Sequence, residues 1–313
     1  MAKRPLTSAT VFCLLISAAC TAGEKGEGTA DVTPGTGVVE VTARGRTFEM
    51  PDTIPSGWTM FRFVNESGLV HFGLVERIPD EIGVAEQQEQ VAPVFQAGMD
   101  LLAAGQPDSA LDAFGELPLW FGDIVFLGGP GLTSPGRTST ATVYLEPGTY
   151  LLECYVKTDG VFHSFNPDPS INGMVHEFTV TAAKSGAAEP QGTIRVELSR
   201  EGGMAVSGDL DAGEHTVQVQ FVDQVAHENL VGHDVHLARL DDTDIDTLAA
   251  WMDWTQPHGL ETPAPVTFLG GLNEMPAGST GYFTATLEPG RYALVAEVPG
   301  SEEKGMLRTF DVQ

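Results

Sequence analysis

The stretch Leu145-Glu146-Pro147-Gly148-Thr149-Tyr150-Leu151-Leu152-Glu153-Cys154 reads as a tight turn feeding a short apolar strand, and it occurs twice. Its second copy, Leu287-Glu288-Pro289-Gly290-Arg291-Tyr292-Ala293-Leu294-Val295-Ala296, lies 142 residues later. Phe126-Leu127-Gly128-Gly129 returns at the same offset as Phe268-Leu269-Gly270-Gly271. One shift shared by two separate motifs identifies an internal duplication. Gly173-Met174, followed by Phe178 and Val180, matches Gly305-Met306, followed by Phe310 and Val312, now 132 residues on. The second copy has therefore lost ten residues between its turn and its last strand. Upstream, Phe63-Val64, His71 and Arg77 pair loosely with Phe221-Val222, His233 and Arg239.

Around these anchors the chain alternates apolar and polar residues over short runs, as in Val39-Glu40-Val41-Thr42, Phe61-Arg62-Phe63-Val64 and Thr142-Val143-Tyr144-Leu145. Period two, punctuated by Gly and Pro, predicts half-buried strands. The repeated Leu-x-Pro-Gly-x-Tyr resembles the tyrosine corner of Greek-key sandwiches, in which the phenol bonds back across the turn. Two homologous all-β domains are expected at 38–183 and 193–313, joined by a linker at 184–192. Each carries a helical insert before its Phe-Leu-Gly-Gly. Val91, Val94, Phe95, Met99 and Leu102 give an apolar stripe over 84–104, and Ile245, Leu248, Ala249 and Met252 give another over 244–254.

The 313 residues carry 16 Lys+Arg against 43 Asp+Glu, a formal charge of −27. Such acidity excludes a nucleic acid held by phosphate neutralisation and opposes binding to an anionic membrane surface. With 42% hydrophobic residues the chain has material for folded cores, and 36 Gly with 20 Pro suit many short strands joined by turns.

At the N-terminus, Lys3 and Arg4 precede an apolar run from Ala9 to Ala19, too short to span a bilayer. It reads as a signal peptide over 1–19, which places the protein in the periplasm or on the cell surface. Ile16-Ser17-Ala18-Ala19-Cys20 resembles a bacterial lipobox apart from Ser17, and implies lipidation of Cys20 as the only membrane attachment. The polar, Gly-rich residues 20–37 then form a flexible tether.

With Cys13 removed and Cys20 lipidated, Cys154 is the one thiol of the folded part. It ends a strand, and a long loop carries His163 and Met174 before the closing strand at Glu177–Val180; His71 lies far upstream beside a strand at Phe72–Ile78. This order resembles the cupredoxins, the blue copper proteins of the plastocyanin and azurin type. The resemblance implies one copper in the first domain, with His71 and His163 as imidazole ligands, Cys154 as thiolate and Met174 as axial thioether. A soft thiolate with two imidazoles suits either copper oxidation state, and a weak thioether tunes the potential. It implies two tandem Greek-key cupredoxin-like sandwiches, each with a short helical insert. The departures are nine positions from Cys154 to His163 and eleven from His163 to Met174, both longer than in compact cupredoxin loops. The segment 164–172 either bulges outward or carries Met174 out of the site.

In the second copy Ala296 stands at the place of Cys154 and no counterpart of His163 remains, so no copper is expected there. His227, His233, His236 and His258 fit no ligand spacing and are expected to be solvated or in turns, and His176 belongs to a polar rim. Copper nitrite reductases also have two such domains, but they place a His before the copper Cys, where this chain has Glu153. No phosphate loop, nucleophile elbow or zinc-protease helix occurs either. The expected role is electron transfer or copper handling without catalysis, with a basic redox partner protein to match the acidic surface. The other reading is a metal-free interaction or adhesion module; it requires that His71, Cys154 and His163 diverge.

Overall fold

A computed structural model describes residues 37–313. The leader over 1–19, Cys20 and the tether up to residue 36 lie outside the described residues. Among those described, no helix is long and apolar enough to cross a membrane.

The duplication foreseen from the two turns is a duplication of topology. In the first copy, strand Val38–Arg44 runs parallel to Thr53–Asn65, which pairs antiparallel with Thr138–Leu145. Facing them, Val175–Lys184, Gly148–Glu153, Leu74–Arg77 and Val125–Phe126 form an antiparallel set. In the second copy, Ile194–Ser199 runs parallel to Gly213–Phe221, which pairs with Thr280–Leu287. Its facing set is Thr267–Leu272, Val235–Arg239, Gly290–Val295 and Leu307–Val312. The alternating apolar residues point between the layers: Val41, Phe61, Phe63 and Val143 are fully buried in one copy, as are Val196, Val219, Phe221 and Val295 in the other. Each such side chain contributes about 1.5–3 kcal/mol by leaving water.

Both tyrosine corners form. Tyr150 Oη donates to the Glu146 carbonyl at 2.7 Å and Tyr292 Oη to that of Glu288 at 2.9 Å. Arg77 and Arg239 lie beside these tyrosines in register and donate to the carbonyls of Pro147 and Pro289. The upstream pairing of the two arginines is thus real. The Gly-Gly of each repeated motif also has a packing reason. Gly129 holds φ at +103°, and a Cβ there would lie 2.2 Å from the Gly73 carbonyl oxygen. Gly271 holds φ at +145°, and its Cβ would meet the Val235 carbonyl at 2.2 Å. Only glycine lets those backbones approach.

Two features depart from the sequence reading. The first insert is several helices: Val84–Gln90 and Ala92–Ala103, then Pro107–Phe114 and a 3-10 turn at Leu119–Asp123. Pro93, without an amide proton, sits in the first turn of the second helix and breaks the stripe at Val91. The second insert is a single helix, Ile245–Met252, burying Leu248, Trp251 and Met252. The two domains, moreover, share a sheet. Thr140, Ala141 and Thr142 pair antiparallel with Thr284, Phe283 and Tyr282. Trp58 seals the seam edge-on against both Tyr144 and Tyr282, with ring centroids at 5.5 and 5.7 Å.

Candidate metal centre

His71, Cys154 and His163 come from three separate places and converge. His71 precedes strand Leu74–Arg77 and is fixed by a two-way backbone bridge to Thr133. Cys154 stands one residue past strand Gly148–Glu153. The nine positions from there to His163 are taken up by a small hairpin, Lys157–Thr158 against Val161–Phe162, turned at Asp159 and Gly160 with positive φ. The His163 amide then donates to the Val156 carbonyl at 2.8 Å, which brings the imidazole back beside the thiol. Residues 167–172 are exposed, so the inserted segment bulges outward and leaves the site closed.

Cys154 Sγ lies 3.5 Å from His71 Nδ1 and 3.8 Å from His163 Nδ1, and the two nitrogens are 3.2 Å apart. The circumradius of that triangle, the product of its sides over four times its area, is about 2.0 Å. Bonds from imidazole nitrogen and thiolate sulfur to a first-row metal are about 2.0–2.3 Å. The three donors therefore surround a point at bonding distance from each, and all three residues are almost completely buried. Burial pushes the Cys154 thiol up to about 12 and holds His71 down to about 4 and His163 to about 2. Both imidazoles are thus neutral and available as ligands at neutral pH, and a bound cation would take the place of the thiol proton.

Met174 is placed by the same loop. Its amide donates to the His163 carbonyl at 2.6 Å and its carbonyl accepts from the Cys154 amide at 3.1 Å. Met306 accepts from the Ala296 amide at 2.9 Å in the same manner and is equally buried. Burial of Met174 is thus a property of the fold, present in the copy without a thiol as well. His176 pairs with Asp52 at 3.1 Å, as expected of a polar rim.

The second domain braces the site, which nothing in the motif order announces. His163 Nε2 is hydrogen-bonded to Thr158 Oγ1 at 2.8 Å, and Thr158 bonds Thr262 of the second domain at 3.0 Å. Tyr155, next to Cys154, packs edge-on against Phe72, next to His71, and donates to Glu297 at 3.2 Å. Asn273 Nδ2 donates to the Gly73 and Pro130 carbonyls at 3.1 Å. An orienting partner on a metal-binding imidazole is worth about 10- to 100-fold in metal affinity. Thr158→Val should weaken metal binding about tenfold in a chelator competition titration; an unchanged affinity would show that Thr158 does not orient the ring.

His233 and His236 correct the expectation of solvated histidines, because both are completely buried. His236 Nδ1 accepts from the Leu132 amide at 3.0 Å and its Nε2 donates to Asp234 at 2.8 Å. Asp234 in turn accepts from the Glu297 amide at 2.7 Å. The Asp234–His236–Glu297 cluster is compact enough for an ion. Both ring nitrogens of His236 are already used, however, and it clips the first domain to the second. His258 is exposed, as expected.

No protein-family profile and no curated protein matches the chain. Among solved structures it is similar to a reduced auracyanin from the photosynthetic bacterium Roseiflexus castenholzii, 21% identical over 47% of this chain and 98% of that one, TM-score 0.25. It is also similar to auracyanin A, described as a "blue" copper protein of Chloroflexus aurantiacus, 18% identical over 46% and 98%, TM-score 0.26. A Cu-containing nitrite reductase from Thermus scotoductus is 12% identical over 88% of this chain and 61% of that one, TM-score 0.21. Likenesses this distant add nothing to what the chain's own residues establish about the site. The duplicated topology has the fold of two tandem cupredoxin-like β-sandwiches, with His71, Cys154 and His163 converging in the first.

Proposed function

We propose that this is an exported copper protein whose first domain holds one copper ion at His71, Cys154 and His163, with the Met174 thioether as weak axial donor. The observation that carries the reading is the triangle of two imidazole nitrogens and one thiol sulfur around a point about 2.0 Å from each. Two imidazoles, one thiolate and a soft thioether suit copper in both oxidation states, and so single-electron transfer. Burial of all three donors supports electron transfer over catalysis, since a substrate would need an open position at the metal. Ligands fixed by backbone bridges and by the second domain limit rearrangement when the charge changes. The leader and Cys20 would tether the protein outside the cell, and its acidity would favour a basic redox partner whose association weakens with salt.

Titration of the purified full chain with Cu(II) should raise an intense thiolate-to-copper visible band that saturates at one copper per chain by elemental analysis. Met174→Leu should keep that stoichiometry and shift the reduction potential. Absence of both the band and stoichiometric copper would overturn the assignment in favour of a metal-free module.

A further inference from the structure

Between the two domains, beneath the first insert, lies a cavity with about 70 Å³ open to the centre of a water molecule. One water needs about 10–15 Å³ by that measure, so the space takes several waters or a molecule of about five heavy atoms. Its lining combines two chemistries that rarely meet inside a protein. Phe95, Phe121 and Trp254 present aromatic rings, and Glu76, Glu153 and Glu274 present carboxyls. No Lys, Arg or His is among the lining residues.

The carboxyls differ in what already holds them. Glu153 accepts from Gln87 Nε2 at 2.6 Å, and Glu274 from the Gly232 amide at 2.6 Å. Glu76 is 5% exposed, and among the described residues no hydrogen bond or ion pair reaches its carboxyl. A polar group buried without a partner is costly unless something supplies the missing bond. Burial raises the pKa of Glu76 and brings that of Glu274 to about 8, since it disfavours the charged form and no positive charge stands among them. Only two sets of three metal-type donors lie within 4.8 Å of one another among the described residues, and neither includes these glutamates. They do not form a compact set of three donors, and aromatic walls do not ligate a metal.

We propose that this interdomain cavity binds a small organic cation, a primary ammonium on a short apolar body. Its N–H group bonds Glu76, the carboxyl without a donor, while Glu153 and Glu274 add negative potential around it, and its apolar part lies against Phe95, Phe121 and Trp254. An ammonium supplies the donors and the charge that the carboxyls lack, and aromatic faces attract a cation while excluding water from it. The site belongs to the pair of domains, since Glu274 and Trp254 come from the second and the other four residues from the first. It stands apart from the copper assignment, and the test uses chain freed of metal by chelation.

Calorimetric titration of that full chain with n-butylammonium chloride should show saturable one-to-one binding, with n-butanol, its neutral counterpart, at least about tenfold weaker. Glu76→Gln and Glu274→Gln should each weaken n-butylammonium by about tenfold while near-ultraviolet dichroism stays native. The comparison of n-butylammonium with n-butanol in the unaltered chain stands even if a variant fails to fold. Absent saturation, equal binding of n-butanol, or unchanged affinity in both variants would overturn the proposal. So would saturable Mn(II) binding that depends on Glu76, which would make the cavity a metal site.

Discussion

Cys154→Ser should abolish the intense visible band raised by Cu(II) and weaken copper binding by at least about 100-fold, with the fold retained. The sulfur is one of three donors about 2.0 Å from a common point, and it is the one whose charge the metal needs. A serine hydroxyl is a hard donor that does not ionise near neutral pH, so it supplies neither the soft thiolate nor the transition that produces the colour. Cysteine and serine are close in volume, and Cys154 sits at the end of a paired strand with its amide held by Met174, so the backbone has no reason to move. Copper content by elemental analysis, a visible spectrum and a dichroism spectrum check the three parts separately. A variant that retains the band would remove Cys154 from the site.

The second large effect is on stability against pH, and it arises from the acids of the interdomain cavity. Burial holds Glu274 at about 8 in the folded chain, against an ordinary value of 4.5. The folded state therefore keeps a proton that the unfolded chain releases above pH 4.5. The stabilisation from that proton is fully present below pH 4.5 and is lost as pH rises to about 8. Each pH unit is worth about 1.4 kcal/mol, so between pH 5 and pH 8 Glu274 alone removes on the order of 4 kcal/mol. Glu153 and Glu76 act in the same direction. His71 and His163, depressed by burial, act in the opposite sense, since protonation of the unfolded chain costs stability as pH falls through 6.5. Glu274→Gln keeps an acceptor for the Gly232 amide and cannot ionise. Denaturant unfolding of metal-free protein should show the variant losing about 4 kcal/mol less than the parent chain between pH 5 and pH 8. An identical decline in both would show that Glu274 does not carry the effect.

The candidate metal centre and the acid-lined cavity adjoin in the chain. Glu153 and Tyr155 flank Cys154, and Phe162 and Ser164 flank His163; all four line the cavity. A strand that presents its alternate residues to two sides serves both, the thiol facing the metal centre and its neighbours facing the acid-lined space. The fold keeps three carboxyls in a place where they lower stability at neutral pH, a local conflict of the kind that marks functional sites.

The strands, their repeated topology, the tyrosine corners and the identity of the three converging residues were legible in the sequence. Each rests on local information: period two, a Pro-Gly turn, a repeated motif, and residue types whose chemistry is specific. The broken first insert was legible in principle, from Pro93. The burial of His233 and His236 was not, because nothing in the spacing of His236 announces that its partners are Asp234 and the Leu132 amide of the other domain. The same holds for the joining of the domains through Thr140–Thr142 and Tyr282–Thr284, since an edge strand reads alike whether it faces water or another edge.

The sequence by itself determined the fold of each half and the chemical identity of the candidate ligands, because alternation, turns and donor type are properties of short stretches. Only the tertiary structure decided that the hairpin Lys157–Phe162 absorbs the long spacing to His163, and that Thr262, Asn273 and Glu297 brace the site from the ligand-poor copy. It also decided that three carboxyls remote from one another in sequence, Glu76, Glu153 and Glu274, share one cavity. Distances between remote residues follow from how sheets pack, and packing sums many weak apolar contacts over the whole chain, so no short stretch encodes it.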